Sequence, residues 1–128
     1  MNRNYEQVKE FHRKFKVPVK DRPEAMPAER AAKRCNWMRE ELDEFMEAAD
    51  ICGQADAMID LIYFALGTLV EIGVEPDALF DIVHAANMSK LWKNGQPCYR
   101  EDGKIIKPPG WADPSEKIQT EIARQLQS

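Results

Sequence analysis

Apolar residues recur at helical spacing along most of the chain, and strand-like alternation is almost absent. Tyr5, Val8, Phe11 and Phe15 trace one face of a first helix over residues 5–15, with Asn4 and Gln7 spaced as a capping box. Val17-Pro18 stops this pattern, and the prolines at 18, 23 and 27 predict an extended connector. Across residues 27–49, Ala31, Cys35, Met38, Leu42, Phe45 and Ala49 alternate in steps of four and three, predicting a long second helix with this stripe as its buried face. After the break at Gly53, residues 56–70 are apolar on nearly every side, which predicts a central, buried third helix. Gly73 ends it. Pro76 suits the first turn of a fourth helix that runs to about Leu91, with Leu79, Phe80, Val83, Ala86 and Leu91 as its apolar face.

Asn94-Gly95 and Asp102-Gly103 are turn signals, and residues 98–100 and 104–106 pair as a small hairpin around the second. Asp113, Pro114 and Glu116 open a short last helix carrying Ile118, Ile122 and Leu126. The expected fold is all-α: a bundle of about four main helices plus a short C-terminal helix, with an irregular loop or small hairpin after helix four.

A length of 128 residues predicts one domain, residues 1–128, with one core. The formal charge of -4 argues against a protein that coats nucleic acid or an anionic membrane. An anionic ligand would therefore need a local cation or a metal. Cys35, Cys52 and Cys98 form an odd set without CxxC spacing, so neither a disulfide framework nor a zinc site is expected, and a reducing cytoplasm fits. The start of the chain is polar, and the longest apolar run, residues 61–70, is half a bilayer span, so no membrane segment is expected.

The chemistry concentrates on helices two and three. Glu41 and Glu44 stand three residues apart, about 60° around a helix, and can reach one ion. They share a face with Arg34 and Trp37 that flanks the apolar stripe. Asp60 is a carboxylate in an apolar helix, which costs several kcal/mol unless a cation or hydrogen-bond donors compensate it. Asp56 shares its face one turn earlier, and helix three contains no Lys or Arg. A divalent cation between the two helices supplies the missing charge; the alternatives are hydrogen bonds from a neighbouring helix or an ion pair with Arg34. Ligands that are all oxygen select Mg²⁺ or Mn²⁺ over zinc, and such ions commonly accompany phosphate.

Asn87 and Lys90, three residues apart on helix four, offer a cation to a polyphosphate, and Lys104 and Lys107 repeat the idea in the loop. Asp81 and His84 form one DxxH pair, but His12 lacks an acid three positions before it, so a di-iron carboxylate site is incomplete. Walker, GxGxxG and GxSxG motifs are absent.

These residues, in this order, resemble the all-α nucleoside triphosphate pyrophosphatases, the MazG-like and phosphoribosyl-ATP pyrophosphohydrolase-like proteins. The resemblance spans about residues 11–111 and rests on Phe11-His12, Arg34 leading into Glu40-Glu41-Leu42-Asp43-Glu44, the segment from Asp56 to Tyr63, and Asn87-Met88-Ser89-Lys90. It implies an ExxE and an ExxD that hold Mg²⁺. Glu41, Glu44 and Asp60 fall on that pattern, but Ala57 occupies the position of the first acid of ExxD. Either Asp56, one residue earlier, replaces it, or the site has one ligand fewer.

The implied reaction is attack of water on the α-phosphorus of a nucleoside or deoxynucleoside triphosphate, giving the monophosphate and pyrophosphate. Glu40 would orient or deprotonate the water, Glu41 would share the catalytic work, and Lys90 would assist. Arg34, Trp37, Asn87, Lys90 and Lys107 would bind substrate, with Trp37 stacking on the base. The resemblance also implies a homodimer or homotetramer, which suits an apolar third helix. The competing reading is a non-catalytic helical dimerisation or nucleotide-sensing module that lost a ligand through Ala57.

Overall fold

A computed structural model describes all 128 residues as five helices and no strand: α1 (Asn2–Lys14), α2 (Ala28–Glu47), α3 (Ile51–Ile72), α4 (Asp77–Met88) and α5 (Ser115–Gln127). The fold is all-α, with a short C-terminal helix, as the apolar spacing predicts. Two compact units divide the chain, Met1–Pro76 and Asp77–Ser128. No single helix is long and apolar enough to cross a membrane.

In the first unit α3 packs against both α2 and α1. The Asp50 side chain caps α3 by accepting from the Gly53 amide at 2.9 Å. At the other end Gly73 adopts a left-handed φ of 70°, and the Val74 amide reaches back to the Leu69 carbonyl at 3.0 Å. Only glycine fits there, since a Cβ would also collide with the Arg22 carbonyl. That contact reflects the path of the connector, which lies along the C-terminal end of α3. Lys20 and Glu24 donate their amides to the Val70 and Ile72 carbonyls at 3.2 and 2.9 Å, satisfying acceptors that the helix itself leaves unpaired.

Tyr5, Val8, Leu66 and Val70 form the core cluster, with Val19 and Leu69 packed against it. The expected faces are partly rotated. On α1 the buried series continues through His12, whereas Phe11 and Phe15 are exposed and stack on each other with ring centres 4.4 Å apart. Because α1 starts at Asn2, Asn4 is not a cap; its amide donates to the Gln7 side chain instead. On α2 the fully buried residues are Arg34 and Glu41, while Leu42, in the middle of the expected stripe, is 48% exposed. The physical reason is a buried ion pair: the α3 face that meets α2 carries Glu71, so α2 turns Arg34 towards it. Helix α3 is central to this unit but buried on one side only. Ala57, Leu66, Gly67 and Val70 are covered, and Ile59, Ile62 and Tyr63 are exposed.

In the second unit α4 packs against α5. Helix α4 stops at Met88, short of Leu91, and none of its residues is fully buried; Phe80 and Val83 of its expected apolar face are exposed. Asp113 accepts from the Ser115 amide at 2.8 Å at the start of α5. Between these helices the expected hairpin is reduced to one antiparallel bridge, Tyr99 with Ile105, closed by a turn at Gly103. Isolated two-stranded hairpins are marginal, and this one has no third strand or apolar face to extend it.

Candidate metal and nucleotide site

Three carboxylates from two helices meet in the first unit. Helices α2 and α3 are joined by a short turn, so they run antiparallel and the C-terminal half of α2 lies beside the N-terminal part of α3. That register brings Glu41, Glu44 and Asp60 together, with one carboxylate oxygen from each within 4.8 Å of the others. None of the three has an ion-pair partner, and the last turn of α2 holds no basic residue against the negative end of the helix dipole. The expected alternative of an Arg34–Asp60 pair is not formed, because Arg34 pairs with Glu71 at 2.9 Å.

Glu41 is 9% exposed, and its Oε2 is buried without a hydrogen-bond donor. Burial, the neighbouring Glu44 carboxyl and the charges of Asp60 and Asp56 push its pKa up to about 7. Asp60 is raised as well, first by burial and then by Asp56 and Glu44. A donor-less buried carboxylate oxygen among acids fits a bound divalent cation, which would provide the charge that no side chain provides. Asp56 is exposed and stands outside the three-oxygen cluster, adding its charge at longer range; Ala57 is buried. Glu40 is exposed and also outside the cluster, because one residue on an α-helix is a rotation of about 100°.

An aromatic cavity of about 430 Å³ opens on the same two helices. It is lined by residues that include Phe11, His12, Arg30, Trp37, Tyr63 and Phe64. Trp37 is four residues before Glu41, and Phe64 four after Asp60, so the cavity begins about 6 Å along each helix from the acids. Trp37 and Phe64 face each other with centres 6.1 Å apart, and the guanidinium groups of Arg30 and Arg34 lie 5.1 and 5.5 Å from the Trp37 ring. Arg34 uses all three of its side-chain nitrogens: Nη1 donates to Glu71 at 2.9 Å, Nη2 to the Phe64 carbonyl at 2.8 Å, and Nε to Thr68 at 3.2 Å. Arg30 is bidentate on Glu71 at 2.7 and 2.9 Å. Glu71 holds both guanidinium groups in place, and they form one wall of the cavity.

His12 is buried with Nδ1 2.9 Å from the Pro18 carbonyl, a contact that requires the proton on Nδ1. Its pKa is lowered, chiefly by burial. Glu71, Arg30 and Gly67 were not anticipated from the sequence. The available signal was the Arg30–Arg34 spacing, since two arginines on one helix face need a shared acid if that face is buried.

Asn87, Lys90 and Lys107 lie in the second unit. Asn87 is exposed, Lys90 half-buried and Lys107 exposed. Lys90 and Lys107 meet at Trp111, their ammonium nitrogens 5.3 and 4.9 Å from the centre of its ring. Trp111 was not singled out from the sequence. Asp81 and His84 are exposed, and Cys35 is half-buried.

No curated protein sequence matches the chain significantly. Among solved structures, a protein proposed to be an NTP pyrophosphohydrolase from Exiguobacterium sp. 255-15 is 34% identical, with 97% of this chain and 96% of that chain aligned at a TM-score of 0.55. The sequence profile of the phosphoribosyl-ATP pyrophosphohydrolases matches residues 8–87, a span that contains Glu41, Glu44 and Asp60. With more than half of its length matched, the chain belongs to the phosphoribosyl-ATP pyrophosphohydrolase family.

Proposed function

We propose that the protein hydrolyses a nucleoside or deoxynucleoside triphosphate to the monophosphate and pyrophosphate, using Mg²⁺ or Mn²⁺. Family membership and the likeness to the Exiguobacterium protein support a pyrophosphohydrolase acting on nucleotides. The observation that carries the metal-dependent reading is the clustering of Glu41, Glu44 and Asp60 around the donor-less Oε2 of Glu41. A divalent cation held there would neutralise phosphate charge in the transition state. Asp56 would strengthen its binding through charge.

The chain's own groups then have separate roles. The cavity beside the acids takes the base, with Trp37 as stacking surface and Arg34 fixing that wall through its bonds to α3. Glu40, exposed next to Glu41, is the group proposed to orient or deprotonate the attacking water. Lys90 and Lys107, with Asn87, are the phosphate-binding candidates of the second unit. A homodimer or homotetramer is the proposed assembly, because Leu42, Met46, Ile59, Ile62 and Tyr63 leave a broad apolar surface on α2 and α3.

The test is a panel of nucleoside and deoxynucleoside triphosphates incubated with Mg²⁺ and scored for pyrophosphate. Pyrophosphate release from at least one member is expected; orthophosphate as sole product rejects the α-phosphorus mechanism. Metal-dependent nucleotide binding without any release identifies the non-catalytic module, for which the buried Ala57 in place of an acid is the specific argument.

A further inference from the structure

Helix α1 ends on a strained residue. The Lys16 amide donates to the Arg13 carbonyl at 3.4 Å and the Val17 amide to the His12 carbonyl at 2.8 Å, the two bonds of a Schellman closure, and Lys16 occupies its left-handed position with a φ of 58°. Glycine suits that backbone, whereas a side chain there costs energy. Lys16 is the one residue other than glycine that adopts a positive φ in this chain. Its ammonium has no ion-pair or hydrogen-bond partner within the protein, so no contact inside the fold explains why a lysine stands there.

The closure places Lys16 on the aromatic cavity of about 430 Å³, together with His12, Arg30 and Arg34. Of the cations lining that cavity, Glu71 holds Arg30 and Arg34, and Lys16 is the one without a carboxylate. His12 is 3% exposed and uses its Nδ1 proton on the Pro18 carbonyl at 2.9 Å, which leaves a lone pair on Nε2. That acceptor takes no hydrogen bond within the protein. Burial lowers the pKa of His12 and so favours the neutral ring. A buried acceptor and an unpaired donor, four residues apart and lining one cavity, complement a ligand edge that offers N–H beside C=O.

Among nucleobases that edge is a lactam. Uracil, thymine, guanine and hypoxanthine carry a ring N–H next to a carbonyl; cytosine and adenine carry a bare ring nitrogen next to an amino group, which would set a donor against Lys16 and an acceptor against His12. We propose that His12 and Lys16 determine the specificity of the cavity, selecting nucleotides whose base presents a lactam edge over those with an amino-substituted edge. This rests on the reading that the cavity takes the base. Lys16 donates to the carbonyl, and His12 Nε2 accepts from the ring N–H. The left-handed backbone at position 16 is the strain that accompanies this donor.

The test is calorimetric titration of the full-length protein with IMP against AMP and with dUMP against dCMP. Each pair differs only at that edge, and monophosphates have no anhydride to cleave. The lactam member is expected to bind about tenfold tighter or more in whichever pair binds. Lys16→Met, which keeps the length and loses the donor, reduces the ratio to about threefold or less, and Lys16→Arg retains it. His12→Asn keeps a donor for the Pro18 carbonyl and loses the Nε2 acceptor, so it reduces the ratio likewise, with helical circular dichroism confirming the fold. Lys14→Met, which removes the same charge outside the cavity, changes the ratio by less than about twofold. Lys16→Gly relieves the left-handed strain, so it is expected to raise the melting temperature while losing the preference; a higher melting temperature with the preference intact would make Lys16 merely structural. Equal affinities within both pairs, tighter binding of the amino bases, no binding of any of the four, or a wild-type ratio in Lys16→Met overturns the proposal. Selective monophosphate binding without hydrolysis of any triphosphate keeps it and removes the hydrolase reading; hydrolysis of ITP and ATP, and of dUTP and dCTP, with equal kcat/KM does the reverse.

Discussion

Gly67 is glycine because Arg34 occupies the space its side chain would need. A Cβ at position 67 would lie 2.5 Å from Arg34 Nη2 and 2.8 Å from His12 Nε2. This one missing methyl lets a guanidinium and an imidazole from two other helices meet on α3. Gly67→Ala is therefore expected to destabilise the protein by about 1–3 kcal/mol through overpacking, despite the gain in helix propensity. A denaturant midpoint equal to that of wild type would show that the contact relaxes freely.

Glu71 holds the same junction electrostatically. It is 2% exposed and accepts from both Arg30 and Arg34. Glu71→Gln leaves two guanidinium groups without their counter-charge, one of them buried, and a loss of about 3–5 kcal/mol is expected. Chemical denaturation measures it; a loss below about 1 kcal/mol would mean that water replaces the carboxylate.

Removing charge from the acidic cluster tests the metal reading. Glu44→Gln and Asp60→Asn are each expected to abolish turnover and to remove the rise in melting temperature produced by Mg²⁺, while keeping the helical signal. Asp56→Asn, outside the three-oxygen cluster, reduces both effects without abolishing them. Full activity in both of the first two variants would place the metal elsewhere.

The pH dependence has a defined sign. Folded, metal-free protein keeps the Glu41 proton up to about pH 7, whereas an ordinary glutamate loses it near 4.5. Between these values the folded state binds more protons, so this group's contribution to stability falls as pH rises through that window. His12 acts in the opposite direction: its lowered pKa costs stability as pH falls below its ordinary 6.5. Comparison with Glu41→Gln isolates the first effect, since the variant has no proton to release. A cation replaces that proton, so the melting-temperature gain from Mg²⁺ is expected to be larger at pH 8 than at pH 5. An equal or smaller gain at pH 8 would refute the assignment.

The exposed apolar surface of α2 and α3 predicts self-association. Met46 is 83% and Ile59 61% exposed, values expected for side chains that a second copy covers. Light scattering is expected to give at least a dimer, and Ile59→Glu to shift it towards monomer. A monomeric wild type at micromolar concentration would remove the oligomer from the proposal.

Local spacing was enough to read several features from the sequence alone. Five helices, the stop at Gly73, the Pro114 start of α5 and the pairing of Glu41 with Glu44 follow from a period of 3.6 and from residues whose backbone preferences act within one turn. Asp60 stood out because a charge in an apolar segment is a local anomaly. Tertiary structure decided which faces turn inward. Leu42 looks like core and Arg34 like surface until Glu71, far along the chain, makes a buried ion pair the better use of that helix face. The same holds for Gly67 against His12, for Asp56 standing outside the acidic cluster, and for Lys90 and Lys107 meeting at Trp111. Each depends on contacts between distant segments, and a helical period records only which residues share a face, not what that face will meet.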